Sequence, residues 1–434
     1  MSGALRHTRR GLSIAALAVL LCASFIALAA GEAGKSNVAL ASARPLSPEK
    51  SPEKKKEPHK GPAALLAGFD PLRHREHEGR YLADLASGAT AELTLDPGLQ
   101  HHVSDVFEQY AVPYGALVAL DPKTGRVLAY VSHSSANPDA GDLVRDPTPP
   151  AASVFKVVTG AALLEAGVTP AERVCYSGGF SALREADLLD DKARDRSCAS
   201  LAEAMGGSIN TVFAKLADRK LDGARIGRYA QAFGFGHALP FDVPLRGSPY
   251  EVPDDRLERA RTAAGFWHMH MSPLHAALIA ATVANAGAMP RASMIERVVD
   301  AQGRTVHAHT ASTFRSVVGR STASALASMM ALTVSEGTAH SAFYDPKGRP
   351  YLPGISVAGK TGSLSSERPY RHYSWWVGFA PEHDPKIAIA ALVVNTPKWR
   401  IKSSYVAREA LRHYLVERPA EAKSAQVAVA TRAQ

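Results

Sequence analysis

The 434-residue sequence predicts an α+β fold: an antiparallel sheet flanked by helices, an all-helical lobe beside it, and an N-terminal membrane segment ahead of both. Three observations predict it. Apolar runs of strand length lie at residues 115–120 and 126–131 and return only near the other end, at 355–360, 374–379 and 387–394. Between them, from Ser153 to about Gly287, helical patterning dominates and strand signals are scarce. Residues 11–30 form an uncharged, predominantly apolar run. Strand-rich ends around a helical centre imply one sheet closed by both ends of the domain, with a cleft against the helical lobe as the place for a site.

The elements follow in order. Residues 11–30 can cross a bilayer, which takes about 20 residues, and Arg6, Arg9 and Arg10 ahead of them put the amino terminus in the cytoplasm. Ala27-Leu28-Ala29 also reads as a signal-peptide cleavage site, so residues 1–30 are either an anchor or a cleaved signal. Both export the rest. Residues 31–62 are rich in Pro, Lys, Glu, Ser and Ala without an apolar period, a disordered linker. Residues 63–113 form a short segment in which 91–96 reads as a strand and Pro97 opens a helix running towards Tyr110. The main domain covers 114–418. Its first two strands flank Asp121-Pro122-Lys123-Thr124-Gly125, a hairpin turn by composition. Ser272-Pro273-Leu274 starts an alanine-rich helix stopped by Ala286-Gly287, and Tyr405 to Val416 is the final helix. Residues 419–434 are a flexible polar tail, and no internal repeat is visible.

With 46% hydrophobic and 21% charged residues the composition is that of a globular protein. The net charge of +9 owes much to Arg6, Arg9, Arg10 and Lys54-Lys55-Lys56, where a membrane surface explains it. No basic stripe interleaves with aromatics, which argues against nucleic acid. Cys22 belongs to the membrane segment. Cys175 and Cys198 remain for the exported part, where an oxidising compartment favours a disulfide over two separate buried thiols.

Three short motifs carry chemistry. Ser153-Val154-Phe155-Lys156 puts a hydroxyl and an amine on one helix face, at i and i+3. A serine hydroxyl needs a base to become a nucleophile, and a lysine serves only if desolvation or nearby positive charge lowers its pKa. Val154, Phe155, Val157, Val158 and Ala161 make this helix apolar nearly all round, hence buried. Ser208-Ile209-Asn210 follows Gly206-Gly207 and precedes an apolar helix. Lys360-Thr361-Gly362-Ser363 closes a β-branched run and so ends a strand, where Gly362 admits a substrate backbone. Each motif has decoys. Ser47-Pro48-Glu49-Lys50 and Ser51-Pro52-Glu53-Lys54 carry helix-breaking prolines, Ser135-Ala136-Asn137 lies in a Pro-containing loop, and Lys123-Thr124-Gly125 is the hairpin turn. Only the later set stands in order on helix, loop and strand.

In that order the motifs resemble the transpeptidase domain of penicillin-binding proteins, which share their fold with serine β-lactamases. The hairpin at Asp121, Ser272-Pro273-Leu274 with Asn285-Ala286-Gly287, Glu336-Gly337-Thr338-Ala339 and Trp376-Val377-Gly378-Phe379-Ala380-Pro381 extend the resemblance over about residues 91–417. Ala152, where many members have glycine, and His275, where many have glutamine, depart from it.

The resemblance implies Ser153 as nucleophile, Lys156 as base, Ser208 as proton shuttle between Lys156 and Lys360, and Asn210 orienting Lys156 or the substrate amide. Thr361 and Ser363 would bind a substrate carboxylate beside Lys360, and the backbone N–H groups of Ser153 and Ser363 would form the oxyanion hole. It further implies a monofunctional peptidoglycan D,D-transpeptidase without cofactor or metal, since nothing before Tyr114 has room for a glycosyltransferase domain. Stem peptides ending in D-Ala-D-Ala, β-lactams acylating Ser153, and a separate glycan polymerase would be its partners, with the catalytic domain outside a cytoplasmic membrane that the chain crosses once. A D,D-carboxypeptidase, a serine β-lactamase and a non-enzymatic β-lactam sensor or morphogenesis scaffold are the rivals. For the β-lactamase no carboxylate motif presents itself as deacylating base, although Glu251, Asp254 and Asp255 lie in the right half of the chain. His268, His270 and His275 lack a zinc spacing and read as surface or cleft-wall residues.

Overall fold

In the computed structural model the described residues are 62–179 and 182–420. The expected membrane segment, nearly all of the linker and most of the tail lie outside them. Among the described residues no helix is long and apolar enough to cross a membrane.

After a one-turn helix, α1 (Pro62–Leu65), the chain forms β1 (Arg75–His77), β2 (Arg80–Asp84) and β3 (Thr90–Leu93). Helix α2 (Pro97–Gln109) starts where the Asp96 carboxylate accepts the Leu99 N–H at 3.0 Å, with Pro97 in its first turn. Strands β4 (Tyr114–Leu120) and β5 (Val127–His133) make the expected hairpin. Its turn is held by Asp121, whose Oδ1 accepts the N–H groups of Lys123 at 2.7 Å and Thr124 at 3.0 Å.

The central block holds a 3₁₀ turn (Ala152–Phe155), α3 (Lys156–Glu165), α4 (Leu201–Gly207), α5 (Asn210–Lys220), α6 (Gly223–Ala232), α7 (Arg256–Ala263) and α8 (Pro273–Ala284). Contrary to the expectation of an almost strandless block, β6 (Arg173–Tyr176) and β7 (Ser197–Ser200) pair within it. Cys175 and Cys198 stand directly opposite in that pair and are joined as a disulfide. These strands are too short to show a period of two. Helix α8 is apolar all round because it is buried all round, from Pro273 to Val283. Next come β8 (Ala288–Pro290), β9 (Ile295–Val299), β10 (Thr305–Ala308), β11 (Thr313–Ser316), α9 (Arg320–Ser335) and the short α10 (His340–Phe343). The chain then returns to the main sheet with β12 (Ala358–Glu367), β13 (Tyr370–Ala380) and β14 (Ile387–Asn395), and α11 (Ser403–Arg412) ends in a π turn, His413–Glu417.

The main sheet is antiparallel in the order β12-β13-β14-β4-β5, joining the first and last strands of the domain as expected. Strand β14 is buried along its whole length, because both faces of the sheet are covered. Trp375 and Val377 pack into the core shared with α8, while Trp376, Ile389 and Ala391 pack with Val406, Ala407 and Ala410 of α11. A strand covered on both faces reads as an unbroken apolar run. A second sheet, β1-β2-β3-β9-β10, ties residues 75–93 to residues 295–308.

Candidate active site

The three motifs meet at the edge strand β12. Ser153 lies in the 3₁₀ turn and not, as expected, on the α-helix, which begins at Lys156. The tighter turn suits the pair, since residues i and i+3 eclipse in a 3₁₀ turn. Lys156 Nζ sits 2.9 Å from Ser153 Oγ. The turn is entered through Ala152 at φ +49, the left-handed region that favours glycine and costs an L-residue about 1–2 kcal/mol. That is a physical reason for glycine to be frequent there. Gly265, at φ +90, closes over the turn, and a Cβ on it would lie 2.3 Å from the Ala152 carbonyl oxygen.

Lys156 is fully buried. Its Nζ donates to Asn210 Oδ1 at 2.7 Å and to the Ala264 carbonyl at 2.5 Å. Among the described residues no carboxylate is one of its hydrogen-bond partners. Burial, and then the nearby Lys360 ammonium, hold its pKa well below that of an ordinary lysine. A neutral amine has two N–H bonds and one lone pair. In that form the Asn210 and Ala264 acceptors would take the two N–H bonds and leave the lone pair for the Ser153 hydroxyl.

Ser208 caps the C-terminus of α4 in the left-handed conformation. Its hydroxyl accepts from Lys360 Nζ at 2.8 Å, and the Thr361 carbonyl accepts from the same amine at 2.9 Å. Lys360 is buried, which alone lowers its pKa to about 7. The Lys-Thr-Gly lies in the first half of β12 and not at a strand end: the strand starts at Ala358, later than the expected run, and continues to Glu367. Gly362 also faces inward. A Cβ there would lie 3.2 Å from side-chain atoms of Ala152 and Val154, so its absence lets the Ser153 turn lie against the strand.

A cleft of about 330 Å³ is lined by Ser153, Ser208, Asn210, Thr361, Gly362 and Ser363, and also by Thr338, His372 and Lys402. Among the described residues no Asp or Glu lines it. Sequence reasoning had given Thr338, His372 and Lys402 no role. Thr338 Oγ1 lies 2.5 Å from Thr361 Oγ1. It belongs to the Glu336–Ala339 stretch that carried the resemblance, the one signal that pointed to it. The Ala264 carbonyl, a backbone group from a distant loop, left no trace in the sequence.

The remaining candidates disperse. Glu251 reaches His268 at 3.5 Å, Asp255 caps α7, and the Asp254 carbonyl accepts from Arg259. His275 is not at the surface or the cleft wall: it is buried, between Ser248 Oγ at 2.7 Å and the Phe233 carbonyl at 2.8 Å. Burial lowers its pKa to about 4. Among the described residues one group, His102, His413 and Glu417, brings metal-capable atoms within 4.8 Å of one another. Its imidazoles stack within 10° of parallel, so their lone pairs do not converge, and Arg412 holds Glu417 at 2.9 Å.

Residues 115–415 match the family described as penicillin binding protein transpeptidase domain. The chain is 30% identical over 381 residues to "Peptidoglycan D,D-transpeptidase PbpA" of Mycobacterium tuberculosis, covering 76% of this chain and 74% of that protein. The protein of the same name from Mycolicibacterium smegmatis is 28% identical over 361 residues, covering 73% of this chain and 70% of the relative. Among solved structures, the ceftriaxone acyl-enzyme complex of penicillin-binding protein A from M. tuberculosis superposes with a TM-score of 0.62 at 25% identity, covering 76% of this chain and 80% of that one. With a serine, two buried lysines and a Lys-Thr-Gly edge strand assembled in one cleft, and with this match over most of the chain, the protein belongs to the penicillin-binding protein transpeptidase family.

Proposed function

We propose that the chain is a peptidoglycan D,D-transpeptidase that works through an acyl-enzyme on Ser153 and is acylated there by β-lactams. The observation that carries this reading is the buried Lys156 amine, which donates to Asn210 Oδ1 and the Ala264 carbonyl and lies 2.9 Å from Ser153 Oγ. Lys156 takes the Ser153 proton as the oxygen attacks the carbonyl between two D-alanines. The backbone N–H groups of Ser153 and Ser363 receive the developing oxyanion. The departing D-alanine amine takes its proton from the Lys156 ammonium through Ser208, whose hydroxyl touches Lys360. Lys360, Thr361 and Ser363 hold the terminal carboxylate, Gly362 leaves room at the strand edge, and Asn210 keeps Lys156 in place. An amine of a neighbouring stem peptide then attacks the ester, gives its proton back along the same path, and frees Ser153 with the cross-link made.

The names of the mycobacterial relatives support the substrate class, and the ceftriaxone acyl-enzyme of one of them supports covalent β-lactam binding. Among the described residues no carboxylate lines the cleft, which supports transpeptidation over β-lactam hydrolysis by a built-in deacylating base. We further propose that residues 1–30 anchor the chain in the cytoplasmic membrane, that 31–62 space it from the bilayer, that 63–113 form a short segment before a catalytic domain at 114–418, and that a separate enzyme polymerises the glycan.

Fluorescent penicillin is the test. It labels the protein, Ser153→Ala abolishes the label, and intact-protein mass shows the adduct persisting for minutes. Label retained in Ser153→Ala refutes the nucleophile, and loss of the adduct within seconds with turnover moves the chain to the β-lactamases. Cross-linked product from a defined muropeptide separates transpeptidase from carboxypeptidase.

A further inference from the structure

We propose that His372 is a positioning residue that turns the Ser363 hydroxyl towards the substrate carboxylate. The inference rests on the reading of Ser363 as a carboxylate-binding group. His372 stands on β13, and the register sets Ser365 opposite it and Ser363 opposite Ser374, so all four side chains share one face of the sheet. His372 Nε2 lies 2.9 Å from Ser363 Oγ, and Nδ1 lies 2.8 Å from Ser365 Oγ. The ring is buried beneath Trp399, with centroids 3.9 Å apart. Both the cleft and the hydroxyl it serves lie beside it.

A neutral imidazole has one N–H and one lone pair. Burial, and then the Lys402 ammonium, lower the pKa of His372 to about 4, so the ring is neutral in the working range. Two hydroxyls on two ring nitrogens leave two arrangements. If Ser363 donates to Nε2, its oxygen lone pairs face the cleft and repel a carboxylate. If Nε2–H donates to Ser363, the Ser363 O–H is free to donate to the carboxylate, while Ser365 donates to Nδ1. An anion in the cleft selects the second. Ser365, His372 and Ser363 then form a directed chain in which each hydrogen bond strengthens the next.

The experiment compares acylation of Ser153 by benzylpenicillin and by its methyl ester, which keeps the β-lactam and lacks the charge. The readout is the ratio of the two second-order rate constants, followed by intact-protein mass in the full chain. His372→Phe keeps the ring under Trp399 and loses both nitrogens; it lowers the acid-to-ester ratio on the order of tenfold, the scale of one hydrogen bond to a charged group. His372→Gln, which keeps an N–H near the Nε2 position, recovers most of the ratio. Ser365→Ala lowers it about twofold to threefold, through the ring alone. If His372→Phe does not fold, the Gln and Ser365 variants carry the test. Equal losses with acid and ester, or an unchanged ratio, overturn the proposal and leave His372 as packing. No acylation of the unaltered protein by either compound overturns the nucleophile reading instead.

Discussion

Lys123 and Lys360 each open a Lys-Thr-Gly tripeptide, and the two tripeptides sit in opposite surroundings. The first is a hairpin turn whose N–H groups bind Asp121 and whose lysine meets Asp384 in solvent at 2.9 Å. The second is the edge of the main sheet, with its lysine buried against Ser208 and within electrostatic reach of Lys156. Burial alone does not separate a chemical lysine from a structural one. Lys215 is equally buried, but Asp195 at 2.5 Å and Asp190 at 3.3 Å compensate it. What distinguishes Lys156 and Lys360 is burial with neutral hydrogen-bond partners. Such an amine either gives up its proton or waits for an anion from the substrate.

Removing the Lys156 amine has the largest expected effect. Lys156→Ala slows acylation by penicillin by roughly 10³-fold, within the range general-base catalysis supplies; near-normal kinetics in rapid-quench labelling would falsify the assignment. Lys360→Met comes next. It lowers acylation by a carboxylate-bearing β-lactam by about 10- to 100-fold, the worth of a hydrogen bond to a charged group. Because Lys360 lowers the pKa of Lys156, the same variant moves the acidic limb of the acylation profile to higher pH. A limb that stays put would show that the two amines do not sense each other.

Lys360→Met also tests the buried charge through stability. The folded pKa of about 7 lies below the ordinary 10.5. Between those values the unfolded chain binds a proton that the folded chain does not, so this group makes stability rise with pH across that window. Below about pH 7 its cost is at its largest. The melting temperature of Lys360→Met should therefore exceed that of the unaltered protein most near pH 7 and least near pH 10, and a difference independent of pH would refute the shift.

Smaller effects come from outside the cleft. Cys175 and Cys198 are 23 residues apart, and closing such a loop contributes about 3 kcal/mol in the chain-entropy model. Replacing both with serine lowers the denaturation midpoint, read in urea, while the penicillin label survives; an unchanged midpoint would sink the estimate. The smallest effect expected is none. Lys123→Ala leaves the labelling rate as it was, and a slowed rate would mean that the two tripeptides are not the separate things their surroundings make them.

The residues that line the cleft were legible in the sequence where they are close in the chain. Ser153 and Lys156 are one turn apart, Ser208 and Asn210 are neighbours, and 360–363 is a contiguous run, so short spacing brings the right groups to the right element. The same locality made β4, β5, β13 and β14 readable from their apolar runs. The pairing of β3 with β9 was not, because it joins residues about 200 positions apart and depends on loop closure that no window of sequence contains.

Fold class, the residue types of the cleft and their order along the chain can be read from the residues alone. What those residues can do depends on the folded arrangement. It left the Lys156 amine with two acceptors and a hydroxyl, one of the acceptors the backbone carbonyl of Ala264. It set His372 against Ser363 through a strand register that a slip of one residue would reverse. It also gave Lys360 a hydroxyl and a backbone carbonyl as partners, with no counter-charge among the described residues. A pKa and the direction of a hydroxyl are properties of surroundings, and the surroundings are assembled from distant parts of the chain only when it folds.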